Sequence, residues 1–161
     1  MGRLIRALLV ATFVVLGSAL PVVAQTTFDL QGHFREGFGR AASSDLCDLE
    51  PPYCGDGMVS GLGKATTLFF PGGTKTITLV SDESTLVMHE ELVLFETPGA
   101  STDAPGSLTS FGNPYRLVVT WVADPDASTG LFAGAMGTGT TSVVAAGDVI
   151  IVTTEGTLTL D

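Results

Sequence analysis

The sequence predicts an all-β protein: a single antiparallel up-and-down β-barrel of about eight strands. Three observations predict it. Beyond the first 24 residues no stretch repeats apolar residues at helical spacing, and apolar and polar residues alternate instead. Clusters of Gly, Pro, Asn and Asp punctuate these runs at hairpin-sized intervals. The last fifth, Thr129 to Asp161, is rich in Gly and Thr and poor in charge, as strands that bend or pack closely are. A closed barrel leaves no exposed sheet edge. About eight strands leave an interior just wide enough for packed side chains or one small ligand.

The elements follow in order. Arg3 and Arg6 form a basic start, Ala7 to Leu16 is apolar, and Gly17, Ser18 and Pro21 break the run. Val22-Val23-Ala24 then puts small residues before Gln25, as a cleavage site requires. Residues 1–24 therefore read as a cleaved secretory signal peptide, and residues 25–161 as one domain exported to the periplasm or the medium. The competing reading, an uncleaved anchor, has an apolar run shorter than the ~20 residues that a span needs. Phe28, Leu30, Phe34 and Phe38 share one side of a first strand, opposite Asp29, Gln31, His33 and Arg35. A loop is expected from about Ala41 to Gly57, then an extended stretch from Met58 to Phe70, stopped by Pro71-Gly72-Gly73. Strands are expected over Lys75–Val80, with Ile77 and Leu79 on one face, and over Thr85–Glu96. A loop over Pro98–Ser107 leads to a short strand at Leu108–Phe111. Tyr115–Ala123 is the clearest strand, with Tyr115, Leu117, Val119 and Trp121 on one face. Thr129–Ala133 suits a tight turn or one helical turn, and Met136–Val144 and Asp148–Leu160 are the last two strands. The tail is expected to close the barrel against the first strand while lying away from any site.

The segment Gly130-Leu-Phe-Ala-Gly-Ala-Met-Gly-Thr-Gly-Thr resembles one in small secreted bacterial proteins of the allene oxide cyclase barrel-like type. Those proteins often carry a Gly-Arg-Phe-Ala-Gly-Ala-Thr-Gly-Ser-Gly-like stretch before the final hairpin. Gly61-Leu-Gly-Lys-Ala-Thr and Thr76-Ile-Thr-Leu-Val-Ser-Asp-Glu-Ser-Thr-Leu are also similar to stretches of that family. The resemblance would cover most of residues 26–161. It implies a calycin-like barrel, shared in outline with plant allene oxide cyclases, dirigent proteins and some bacterial polyketide cyclases. It implies no catalytic assignment, because no catalytic motif matches residue by residue.

Charge and cysteines narrow the classes of partner. The chain carries a net charge of −10, and loss of residues 1–24 with Arg3 and Arg6 takes it to −12. Such a surface repels nucleic acid and anionic membranes, and an exported protein uses the charge for solubility. No stable membrane insertion is expected after cleavage, and the oligomeric state is left open. Cys47 and Cys54 enclose a short loop containing Pro51-Pro52, and export makes a disulfide their default state. That bond would contribute roughly 2.5 kcal/mol. No cofactor is expected, and no metal site, since no His lies near the cysteines. Asp124 to Gly130 starts like a calcium loop but lacks its closing Glu, and Asx-type turns describe it better.

Four residues are candidates for a site. Glu36 shares the parity of Phe34 and Phe38, so a regular strand puts its carboxylate on the apolar face, with a raised pKa and proton-handling ability. The favoured alternative is a bulge at Gly37 or Gly39 that turns it outward, or a place at the rim. His89 sits mid-strand beside Glu90 and Glu91, as a possible ligand-binding group or, more simply, a surface or satisfied core histidine. Tyr115 and Trp121 offer a hydroxyl and an indole N–H to a pocket, or are plain core. The first expectation is thus a non-enzymatic module that binds a small apolar ligand or a partner, or a structural protein with a filled barrel. The alternative is a cofactor-independent cyclase or isomerase acting inside the barrel, with Glu36 and Tyr115 as its catalytic groups.

Overall fold

The computed structural model describes residues 25–37, 53–70, 72–97, 115–146 and 149–160. The expected signal peptide over residues 1–24, Phe38, Cys47 and the expected short strand at Leu108–Phe111 lie outside the described residues. Eight strands form: β1 (Thr26–Gly37), β2 (Tyr53–Val59), β3 (Gly63–Phe70), β4 (Thr74–Leu79), β5 (Thr85–Glu96), β6 (Tyr115–Ala123), β7 (Met136–Ala146) and β8 (Val149–Leu160). Each pairs antiparallel with its neighbour in the chain, and β8 returns to β1, so the sheet closes into an up-and-down barrel. No α-helix occurs among the described residues, only a 3-10 turn over Gly130–Phe132.

The strand number matches the expectation through a different set of strands. Met58–Phe70 is not one extended stretch. It divides at Ser60–Leu62, where Gly61 adopts φ +76° and the Leu62 amide donates to the Val59 carbonyl. The expected loop to Gly57 accordingly gives up Tyr53–Gly57 to β2. The signal was in the sequence, because Gly61 lies in the turn and Gly63 directly follows it. In β5 the register to β6 shifts between Leu92 and Leu94. Strict alternation would have kept Leu94 on the face of Glu90 and Leu92, but after the shift Phe95 is the residue opposite inward-facing Leu117.

The barrel has two unlike ends. At the base, tight hairpins join β2 to β3 and β4 to β5, and residues 124–135 cross from β6 to β7. That crossing is stapled to the β4–β5 hairpin. Thr85 and Thr129 exchange backbone hydrogen bonds, the Leu131 amide donates to Ser84 Oγ at 2.8 Å, and the Val87 amide donates to Ser128 Oγ at 3.0 Å. Gly130 is required here. Its φ is +62°, and a Cβ would lie 2.4 Å from Ser84 Oγ. The staple drives Phe132 into the core, where it is fully buried with Leu30, Leu79, Leu86 and Leu158. At the other end, the mouth, β1, β3, β5 and β7 finish and β2, β4, β6 and β8 begin.

Trp121 occupies the middle of the interior and is 1% exposed. Its ring lies over two glycines of the tail strands. A Cβ on Gly139 or Gly156 would come within 2.4 or 2.3 Å of the indole. Gly139 and Gly156 are register partners, so together they form one flat seat for the ring. This close approach is the physical reason for two of the glycines in the Gly/Thr-rich tail.

Candidate functional site

Toward the mouth the inward positions turn polar. Burial along β1 alternates through Leu30, Gly32, Phe34 and Glu36, and the pairing to β2 and β8 stays regular through Glu36. Glu36 therefore points inward. The favoured expectation of a bulge that turns it out is corrected, because neither neighbouring ladder breaks at this position. Its carboxylate accepts from Lys75 Nζ at 2.6 Å and from Thr67 Oγ1 at 2.8 Å. All three side chains are buried, Lys75 to 2% exposure. A buried carboxylate that loses a hydrogen-bonded cation costs several kcal/mol, so this pair persists only because its geometry is close and supplemented by the Thr67 hydroxyl.

Lys75 comes from β4, where it shares its face with Ile77 and Leu79. Sequence reasoning named that face but passed over its first residue. The parity of the strand was signal enough: residue 75 is two before Ile77, and a lysine at that place has an interior address. Thr67, two residues after buried Ala65 on β3, was missed in the same way.

Glu90 is the second interior carboxylate. It follows Met88 by two positions on β5 and stands opposite Trp121 on β6. Burial holds its carboxyl above the usual range. Lys75 and the Thr141 hydroxyl work against that shift, and the nearby Glu36 charge adds to it. Glu90 Oε1 is buried with no hydrogen-bond partner among the described residues, and so is Trp121 Nε1. Thr141 and Thr154 share a hydrogen bond of 3.1 Å on β7 and β8. The tail therefore contributes polar groups to the interior and does more than enclose it, which corrects the expectation that it lies away from any site.

Tyr115 begins β6 at the mouth, half-buried, with its ring stacked on Phe95 at a centroid distance of 5.9 Å. Burial, and then the Glu36 charge, push its hydroxyl pKa up. Glu36, Tyr115 and Trp121 thus share one interior, as their parity indicated, with Lys75 and Glu90 between them. His89 does not join them. It lies outside the barrel with its side chain 59% exposed, in a 2.9 Å contact with Asp124 Oδ2. Asp124 Oδ1 accepts from the Asp126 and Ala127 amides, so this carboxylate caps its own turn, the Asx arrangement that its sequence favoured. No group of three or more metal-ligating side chains occurs among the described residues.

Cys54, the second residue of β2, is buried, while Cys47 lies outside the described residues. Comparison with known proteins adds no family: no family model, no curated protein and no solved structure matches the chain.

Proposed function

We propose that this protein is an exported, non-enzymatic binding module whose barrel takes one small, largely apolar ligand through the mouth. The observation that carries the reading is the pair of buried, unpartnered polar atoms, Trp121 Nε1 and Glu90 Oε1. A barrel that served only as a filled structural core would gain by apolar residues at these positions, since an unmet buried polar group costs about 1–3 kcal/mol. A ligand that meets them removes that cost when it binds. Around them, Tyr115, Leu117 and Val143 face inward and are only partly buried, which suits a ligand with an apolar body. The outer face of β1, with Gln31, His33 and Arg35 exposed, supports a barrel that stands in water. A cleaved signal peptide over 1–24, a Cys47–Cys54 disulfide and a relationship to allene oxide cyclase barrel-like proteins belong to the same proposal.

Native mass spectrometry of protein purified from culture medium tests it. The expected result is a mature chain that begins at Gln25, is two mass units lighter than the dithiol, and retains or captures a small molecule from lipid or polyketide extracts. A chain that captures nothing across those extracts overturns the binding reading. A second reading, a cofactor-independent cyclase or isomerase, is favoured by one observation: two carboxylates and a lysine share a buried interior in which the Glu90 proton is held more tightly than usual. On that reading Glu36→Gln and Glu90→Gln abolish a turnover that the wild type performs on a captured molecule.

A further inference from the structure

The interior is charged unevenly. Lys75 is committed to Glu36 at 2.6 Å, which leaves Glu90 as a second carboxylate without a cation of its own at bonding distance among the described residues. The groups that face it are Lys75 from β4, Glu36 from β1 and the Thr141 hydroxyl from β7, with Tyr115 on β6 nearer the mouth. Its register partner on β6 is Trp121, 99% buried, whose indole N–H has no acceptor among the described residues. One unmet acceptor and one unmet donor therefore belong to register partners on adjacent strands, both on the inward face of the barrel.

From this juxtaposition we infer that the ligand of the barrel is a small organic ammonium compound with a neighbouring oxygen, its N–H donating to Glu90 Oε1 and its oxygen accepting from Trp121 Nε1. The inference rests on the binding reading above and names its ligand class. A cation supplies the charge that Glu90 lacks. A neutral ligand leaves that carboxylate unpaired or protonated, and an anion meets two carboxylates with one lysine already engaged. The rings of Tyr115 and Phe95 give the mouth an aromatic wall that also favours an incoming cation.

The inference has a linkage consequence. Burial raises the Glu90 pKa, and a bound ammonium favours the ionised carboxylate. Binding therefore strengthens as pH rises through the raised value, and on the acid side of it each binding event releases a proton.

Trp121 is the single tryptophan of the chain, so its emission reports the site directly. The test titrates three probes on one skeleton: 2-amino-1-phenylethanol, 1-phenyl-1,2-ethanediol and mandelate. They differ only in an ammonium, a hydroxyl or a carboxylate beside the shared oxygen. The expected result is a saturable change in Trp121 emission with the amine, at least tenfold tighter than with the diol, and none with mandelate. As pH rises from the acid side through the raised Glu90 value, with the alkyl amine cationic throughout, affinity for the amine rises. Calorimetry in two buffers of different ionisation enthalpy shows the released proton at the acid end. Glu90→Gln loses at least tenfold in amine affinity and keeps its affinity for the diol. Equal or tighter binding of the diol or mandelate overturns the ligand class while the binding reading stands. Failure of all three probes, together with no capture in mass spectrometry, overturns both. Should Glu90→Gln not fold, the wild-type probe order and the proton release decide alone, and pH-independent binding without proton release overturns the inference.

Discussion

At the base of the barrel, Leu30, Leu79, Leu86 and Leu158 close around Phe132. Toward the mouth, β1, β3, β4, β5 and β7 send in Glu36, Thr67, Lys75, Glu90 and Thr141. The two regions are built on the same closed sheet, and their inward-facing side chains differ in chemistry. The base follows the rule for a stable core: apolar volume, tight hairpins and polar groups used only to staple the crossing chain. The mouth departs from it with an ion pair, a second carboxylate and two unmet polar atoms. Stability is a sufficient reason for the first region and not for the second. The mouth is accordingly where a reason other than folding has to be sought.

The comparison breaks most readily at Phe132. If the base carries stability, Phe132→Ala removes a fully buried ring and leaves a cavity that the stapled turn cannot collapse into. The expected loss is about 3–5 kcal/mol, measured by denaturant unfolding. A loss below about 1 kcal/mol would mean that the crossing is not an integral part of the core.

The ion pair sharpens the contrast. Lys75→Met leaves Glu36 buried without its cation and is expected to cost about 3–5 kcal/mol. Lys75→Met combined with Glu36→Leu removes both charges and fills the space with apolar atoms, and it is expected to recover most of that loss. Such a double variant, stable yet without ligand affinity, would separate function from folding in the mouth. A double variant as unstable as the single one would show that the pair is structural after all.

Much of this contrast was legible in the residues. The strand alternation placed Glu36, Tyr115 and Trp121 in one interior, and the turn signals around Asp124 ended β6 where the chain does turn. What alternation cannot supply is partnership. Lys75 pairs with Glu36 across 39 positions of sequence, and only the closed register brings β1 and β4 within reach. The bulge in β5 was hidden for a related reason: Leu92, Val93, Leu94 and Phe95 are all apolar, so no change of polarity marks the residue that drops out of register. The seat for Trp121 was hidden too: the sequence marks the tail as strands that bend or pack closely, but not that Gly139 and Gly156 make way for the indole.

Glu90 offers a smaller and more directional test. Its folded pKa is raised above the ordinary 4.5 by burial, so the folded state holds this proton more tightly than the unfolded chain does. By linkage, its charge destabilises the protein progressively as pH rises from about 4.5 through the folded value, and the cost is constant above that. Glu90→Gln removes the titration. The variant is therefore expected to be the more stable protein at neutral pH, with the advantage disappearing on acidification below the unfolded value. Thermal melts of both proteins across this range read the difference directly. An advantage that grows toward low pH would have the wrong sign and would place Glu90 among the groups that stabilise the fold when ionised.

The smallest effect is expected outside the barrel, where His89 meets Asp124. The hydrogen bond from His89 is the largest cause of the lowered Asp124 pKa, followed by the Ala127 amide. A carboxyl lowered in the folded state contributes stability that is present above its ordinary value of 3.8 and is lost as pH falls through the folded one. This pair is exposed, however, so solvent screens it, and surface pairs contribute little. His89→Ala should therefore shift the unfolding midpoint less than any interior variant, and only on the neutral side of that window. It should leave probe binding and Trp121 emission unchanged, because the imidazole and the indole lie on opposite faces of the sheet. A change in Trp121 emission in His89→Ala would contradict the separation of inner and outer faces on which the contrast between base and mouth depends.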